Sequence, residues 1–581
     1  MLKTTSTDTK NTTVTKIERR TELAVRLEEF ALVSVLFPAA IVTLAVIVFA
    51  LGGPMSAWIL PVSVVLAIVG LRLFSNSWQN VTLLVSVAAV THVAAFALAR
   101  FFFDSSWDGL AYHQEGVLRL AAGWNPFSES ATAYGEDPDV RNDIRIEHFP
   151  KASWIAGAAV FLNCGRIEPS KLFNFTFIAA AAGHVAALLL RLTMLRISNV
   201  VAIALLAACN PVAVYQSTTF CVDGAVSSCL TLAVAGIVSY ITAPRWLPLV
   251  IALLAICLMI NLKFTGIPFA AVILWAGVVA VWYRRRLRSA CRLAGLAAAT
   301  GVVAVFAIGY APYVRNVGGK GDMFYPLRGK NLPNLAPGRP ANLVHRDRFT
   351  SFLIANLSRS EPTGWPPRTT RLKFPFWIYN SERSGWIWST SPEAGGFGPL
   401  YGALLLLAGA GVVVLMRDAS NRSIGRVVLL IAGVLAISVF VHQEAWKARF
   451  APQAWLLPLI VATGCLLARQ PLRVLWLGWV LIGVSVVNVL FIGAYFVWYQ
   501  WKFTRDTRHT LQEASAVPHP VFVHRAQFQG LRQRFREAGV EIKLLANSPP
   551  AETAITRHRI PSPGPHTFWS SENPEKNALP P

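Results

Sequence analysis

The sequence predicts an all-α polytopic membrane protein of about thirteen transmembrane helices, carrying a small α/β unit near its C-terminal end. Three observations lead there. Of its 581 residues 54% are hydrophobic and only 14% charged, against roughly 25% charged in a soluble domain. The apolar residues gather in runs near the length that crosses a bilayer as a helix, about 20 residues. Basic residues cluster at alternate connections between those runs, as the positive-inside bias requires.

The runs are 30–51, 55–74, 81–103, 170–192, 199–219, 224–242, 246–261, 264–283, 293–313, 398–416, 424–442, 450–468 and 473–498. Residues 1–29 form a polar, mixed-charge tail. The apolar run after it is too long for a signal-peptide core, so it reads as an uncleaved first helix. Lys3, Lys10, Lys16, Arg19, Arg20 and Arg26 place that tail in the cytoplasm. The clusters Arg191/Arg196, Arg284 to Arg288, Arg417/Arg422/Arg426 and Arg469/Arg473 then fall on the same side. The large loops 104–169 and 314–397 and the tail from 499 fall outside. The last two are basic as well, but long translocated segments escape the charge rule. Residues 152–165 are apolar yet too short to span, which suggests an interfacial or re-entrant helix. Without repeats, the membrane domain covers 30–498. In the tail, Val521–His524 and Val540–Leu545 read as strands around a helix from Gln527 to Ala538 that Gly539 stops, and the Pro-rich end reads as disordered.

Composition also excludes. A net charge of +23 would suggest nucleic acid in a soluble chain; here clusters flanking apolar runs account for much of it, and no nucleic-acid partner is expected. Seven cysteines, among them Cys209, Cys229, Cys257 and Cys465, show no metal-ligand spacing. There is no phosphate-cradling glycine loop, no His-Glu-x-x-His and no nucleophile-elbow serine.

Candidate chemistry concentrates in the expected outer loops. Asp104 and Asp108 follow run 81–103 directly, and four-residue spacing would put both on one helix face. Paired carboxylates can divide the roles of base and proton or metal holder; solvated loop acids would look the same. A divalent cation on these two acids is the one cofactor the residues leave open. Tyr112 and His113 lie a turn further on. Trp124 and Asn125 offer an indole face and an amide to a sugar, or an interfacial turn. His148 and Lys151 precede the short apolar helix, where Lys151 meets a lipid-linked phosphate or snorkels to headgroups. Asp223 sits at an outer end. Lys263 lies between two apolar runs with almost no loop, where it must face a cavity, a phosphate or the interface. Arg315, Asn316 and Tyr325 open the later loop, and Glu444 and Arg449 lie in the connection 442–450; both place arginine beside aromatics, suited to phosphate and sugar or to interface anchoring.

Taken together, Asp108-Gly-Leu-Ala-Tyr112, Phe149-Pro-Lys-Ala-Ser-Trp154, Arg315-Asn316 with Phe324-Tyr-Pro-Leu327, and Glu444-Ala-Trp446 to Arg449-Phe450 resemble integral-membrane glycosyltransferases of the GT-C fold. The likeness is to bacterial lipid- and polysaccharide-modifying members, with aminoarabinose transferases and protein O-mannosyltransferases as distant relatives. It spans residues 81–470. The resemblance implies a sugar donor on polyprenyl phosphate or pyrophosphate, a glycan, lipid or protein acceptor, and chemistry on the outer face of a bacterial cytoplasmic membrane, among its lipids. The family's first-loop acid falls on Asp108, and Gly109 stands where a second acid is usual. On this reading Asp108 is the base, Asp104 tunes it or holds a metal, Lys263, Arg449 and Lys151 stabilise the departing phosphate, and Trp124 and Asn125 hold a sugar. The alternatives are a polysaccharide polymerase or ligase using undecaprenyl-linked substrates, and a lipid-linked glycan transporter or flippase, although few ionisable residues (His92, His184) lie mid-run.

Overall fold

The computed structural model describes residues 5–134, 140–285, 287–330, 332, 338–361, 369–383, 390, 393–468, 472–524, 528–545, 558–561 and 567–571. Among these, eight helices are long and apolar enough to cross a membrane: Ile17–Ala50, Trp78–Phe101, Glu168–Leu192, Asp223–Thr242, Gly266–Arg284, Leu287–Ile308, Arg422–Val441 and Leu472–Ser515. The chain is therefore a helical, polytopic membrane-type protein, but the other five expected runs fall short of that length. Ile59–Arg72, Trp246–Leu262, Tyr401–Arg417 and Leu456–Leu466 have 14, 17, 17 and 11 residues. Run 199–219 breaks at Asn210-Pro211, where the Asn210 side chain caps Val212 N at 3.0 Å and starts a new helix, Pro211–Gln216. Proline at the first helical turn with an Asn cap is a start signal that hydropathy does not see.

The expected N-terminal tail is not separate. Helix Thr5–Ala50 is continuous through Pro38, and its polar turns bind the bundle. Arg20 donates to the carbonyls of Leu195 and Thr193, both at 3.0 Å. Buried Glu28 receives Arg191 and Arg245, the latter at 2.6 Å; two guanidinium forks make a buried carboxylate tolerable. Phe49, at least about 30 Å further along that helix, accepts a hydrogen bond from Asn125 Nδ2. The basic connections and the long loops thus gather at opposite ends of the bundle.

At the loop end, segment 152–165 is a buried helix, Ala152–Cys164, that packs inside the protein. The 44-residue helix Leu472–Ser515 runs well past the expected end of the membrane domain at 498. Its extension meets the first loop: Ser105 Oγ donates to Gln500 Oε1 at 2.7 Å, and Thr504 Oγ1 accepts from Phe103 N at 3.1 Å. Beyond it lies a four-stranded sheet of β1 (Val521–His524), β2 (Ile542–Leu545), β3 (His558–Ile560) and β4 (Thr567–Ser570), in the order β2-β1-β4-β3. β1 and β2 are parallel and flank helix Gln529–Glu537; β4 is antiparallel to both β1 and β3. Two strands therefore stand in the stretch expected to be wholly disordered. Gln527, Arg286 and Arg469 lie outside the described residues.

Candidate active site at the loop end of the bundle

Helix Trp78–Phe101 ends and the chain turns at Asp104. Asp104 Oδ1 accepts from Ser106 N and Ser106 Oγ, both at 2.7 Å, and Oδ2 accepts from Phe220 N at 2.9 Å. The residue is wholly buried. Burial, and next to it the negative charge of Glu168, raises its pKa to about 6. The expected face shared by Asp104 and Asp108 does not form, because the chain is not helical between them and Asp104 turns inward. The same turn explains Gly109. A Cβ there would lie 1.8 Å from Asp104 Oδ2 and 2.4 Å from Ser106 Oγ, so an acid at this place cannot coexist with the turn. Asp104 is a buried staple of this turn, with both carboxylate oxygens engaged. Among the described residues no group of three or more His, Cys, Asp or Glu side chains is placed to hold a metal ion.

Asp108 immediately precedes the π-helical turn Gly109–His113. Its Oδ2 accepts from Arg449 Nη1 at 3.0 Å, and about a third of the side chain is open to solvent. Oδ1 accepts no hydrogen bond from the described residues. The second acid of the site is Asp223, at the start of helix Asp223–Thr242. It is ion-paired with Lys263 through Oδ1 and accepts from Gln216 Nε2 at 2.9 Å through Oδ2. Lys263 Nζ lies 4.1 Å from the centroid of Phe450, and His442 stacks on that ring at 4.9 Å. Arg449 Cζ is 5.0 Å from the same ring. Lys263 and Arg449, each paired with an acid from a distant segment, thus lie against one phenyl ring, with Lys447 Nζ 5.8 Å from its centroid. Tyr112 packs beside them on His113 and Phe149, with Arg145 5.5 Å from its ring. His113 is buried and its Nδ1 accepts from Trp154 Nε1 at 2.7 Å; burial lowers its pKa to about 4. It is a neutral wall of the site.

Other expected site residues belong to the scaffold. Trp124 is fully buried, so its indole faces offer nothing to a sugar. Asn125 uses its amide on the carbonyls of Phe49 and Gly53 and its oxygen on Phe127 N. Lys151 is buried against the rings of Trp124 and Trp154 and donates to the carbonyls of Glu147 and Phe149 at 2.8 and 2.9 Å. Desolvation lowers its pKa to about 7, and it neither snorkels nor reaches the Asp108 cluster. His148 Nδ1 meets Asn316 Oδ1 at 2.7 Å, its ring stands edge-on to Tyr325, and Asn316 Nδ2 donates to Tyr325 O. Arg315 donates to Pro126 O at 2.5 Å and pairs with Glu147 at 3.4 Å. These contacts close the wall between the two long loops. Glu444 holds Arg339 at 2.7 Å and the Trp446 indole at 2.8 Å, which fixes the connection that carries Arg449.

His442, Gln216 and Arg145 belong at the site but were not singled out by sequence, and Phe450 entered only as part of the Glu444 to Phe450 motif. His442 and Phe450 had a usable signal, since they flank Arg449 within one short connection; Gln216 and Arg145 had none. A narrow cleft between helices is lined by Pro38, Phe173, Phe177, Leu258, Phe220 and Val222. No known family model matches this chain, and no characterised protein is significantly similar to it.

Proposed function

We propose that the protein is a membrane glycosyltransferase that moves a sugar from a polyprenyl-phosphate-type donor to a glycan, lipid or protein acceptor on the outer face of a bacterial cytoplasmic membrane. The observation that carries this reading is Asp108: a partly open carboxylate held through one oxygen by Arg449, with its other oxygen unengaged by the described residues, beside Lys263 and Asp223. In the proposed step Asp108 Oδ1 takes the acceptor hydroxyl proton, and the acceptor oxygen attacks the anomeric carbon. The bond from that carbon to the phosphate oxygen breaks, its electron pair leaving with the phosphate. Arg449 and Lys263 offset the charge that develops there.

The reading includes a topology of thirteen passes with the N-terminus in the cytoplasm, which counts the shorter apolar helices as crossings. Reporter fusions at Ser130, Thr350 and Val540 should report outside and those at Leu287 and Ser420 inside; an inside signal at Ser130 would remove outer-face chemistry. For the chemistry, Asp108→Asn should lower transfer by at least about a hundredfold, the scale of a lost general base, with membrane abundance unchanged. Lipid-linked sugars extracted from the host should accumulate, and mass spectrometry would identify the sugar. Near-normal transfer by purified Asp108→Asn would sink the assignment.

A further inference from the structure

We infer that the C-terminal α/β unit is a working part of this site and that Arg534 is its positioning residue, holding the turn that separates Asp108 from Asp223. The inference deepens the reading of that site as a transferase centre. Four charged side chains meet under the first loop, all buried: Asp104, Glu168, Lys171 and Arg534. Two are acids and two are cations, so the cluster is neutral as a whole. Its hydrogen bonds converge on one residue. Arg534 Nη2 donates to Asp104 O at 2.8 Å, and Arg534 Nε donates to Glu168 Oε1 at 2.9 Å. Glu168 Oε2 accepts from Asp104 N at 3.1 Å and from Lys171 Nζ, which also donates to Phe102 O at 2.7 Å.

Asp104 is thus gripped at its N–H through Glu168 and at its carbonyl by Arg534, while its carboxylate reaches Ser106 and Phe220. Ser106 leads two residues on to Asp108, and Phe220 leads three residues on to Asp223. The staple therefore sets the spacing between the two acids of the site, and the tail supplies one of its four members. The docking is close along helix Gln529–Glu537. A Cβ at Gly530 would lie 1.8 Å from Gln114 Oε1, Glu537 accepts from Ile167 N at 2.8 Å, and Phe528 stands edge-on to Trp107. A tail only tethered to the membrane domain would not need a buried arginine. Arg534 touches none of the reacting groups, so any effect on transfer must pass through the 104–108 turn.

The test compares Arg534→Lys, which keeps a cation for Glu168 but loses the forked reach to Asp104 O, with Arg534→Met in the full-length protein in detergent. Amide hydrogen exchange in peptides covering 103–113 and 216–223 should rise at least about tenfold in Arg534→Met and less in Arg534→Lys, while β1 and β2 stay protected. Transfer from host-extracted lipid-linked sugars should fall about tenfold or more in Arg534→Lys. In an Asp108→Asn background the same substitution should cause no further loss, because both act through one group. Unchanged exchange in both peptides for both variants would overturn the inference, as would an undiminished further loss in the Asp108→Asn background. If exchange rises as expected but Asp108→Asn alone transfers normally, the positioning role stands and the transferase reading of Asp108 fails.

Discussion

Replacing Lys263 with Met should cost the protein a large part of its stability. Asp223 is only 4% exposed, and its hydrogen-bond partners among the described side chains are Lys263 and Gln216. Removing the ammonium leaves a buried carboxylate with one amide donor. Breaking a buried pair from one side costs about 3–5 kcal/mol. The Lys263 side chain is 21% exposed, so solvent screening moves the expected loss to about 3 kcal/mol, a large share of a net stability on the order of 5–15 kcal/mol. Thermal unfolding of detergent-purified protein, followed by loss of the monodisperse peak on size exclusion, reads this directly. Lys263→Met/Asp223→Asn removes both charges and should recover most of the loss. That double variant then isolates function from folding: it should bind undecaprenyl phosphate at least about tenfold more weakly than the unsubstituted protein, the scale of one charge-assisted contact. A Lys263→Met protein that unfolds at the unsubstituted temperature would refute the argument that Asp223 depends on this pair.

Gly109→Ala should abolish the turn, because the new methyl would sit 1.8 Å from Asp104 Oδ2; a loss of more than about 1–3 kcal/mol, or no recoverable protein, is expected, and normal yield with normal stability would contradict it. His113 carries a pH prediction. Its folded pKa is depressed to about 4 from 6.5, so the fold favours the neutral ring, and its contribution is present above pH 6.5 and lost as pH falls toward 4. The shift is worth about 3 kcal/mol. Unfolding temperatures measured from pH 7.5 to 4.5 should fall less steeply in His113→Gln than in the unsubstituted protein, and superimposable curves would remove His113 as the cause.

The helical membrane class was legible because composition and run length act at every position of an apolar chain. The lengths of the helices were less so. Asn210-Pro211 divides one run, a local capping event that a hydropathy window averages away. For the site, Asp108, Asp223, Lys263 and Arg449 each stood out by charge in an apolar setting. Their pairing did not, because the Asp108–Arg449 contact joins residues 341 apart. Trp124, Asn125 and Lys151 were misread for one shared reason: residue type tells what a side chain could bind, while burial decides whether anything can reach it. Glu168 and Lys171 were passed over, although two charges three residues apart at the head of an apolar helix are tolerable there only when compensated.

The grip of Arg534 on Asp104 has a consequence for how the protein is made. The two residues are 430 positions apart, so at a synthesis rate of about 5–20 residues per second the ribosome finishes the arginine roughly 20–90 s after the aspartate. During that interval the bundle is inserted helix by helix while Glu168 still lacks the guanidinium that completes its charge balance. The first loop emerges early, but the contacts of Arg534 to Asp104 and Glu168 can form only once that arginine has been made. Chains that stop short of that point would carry Asp108 and Asp223 without the arginine that completes the staple between them.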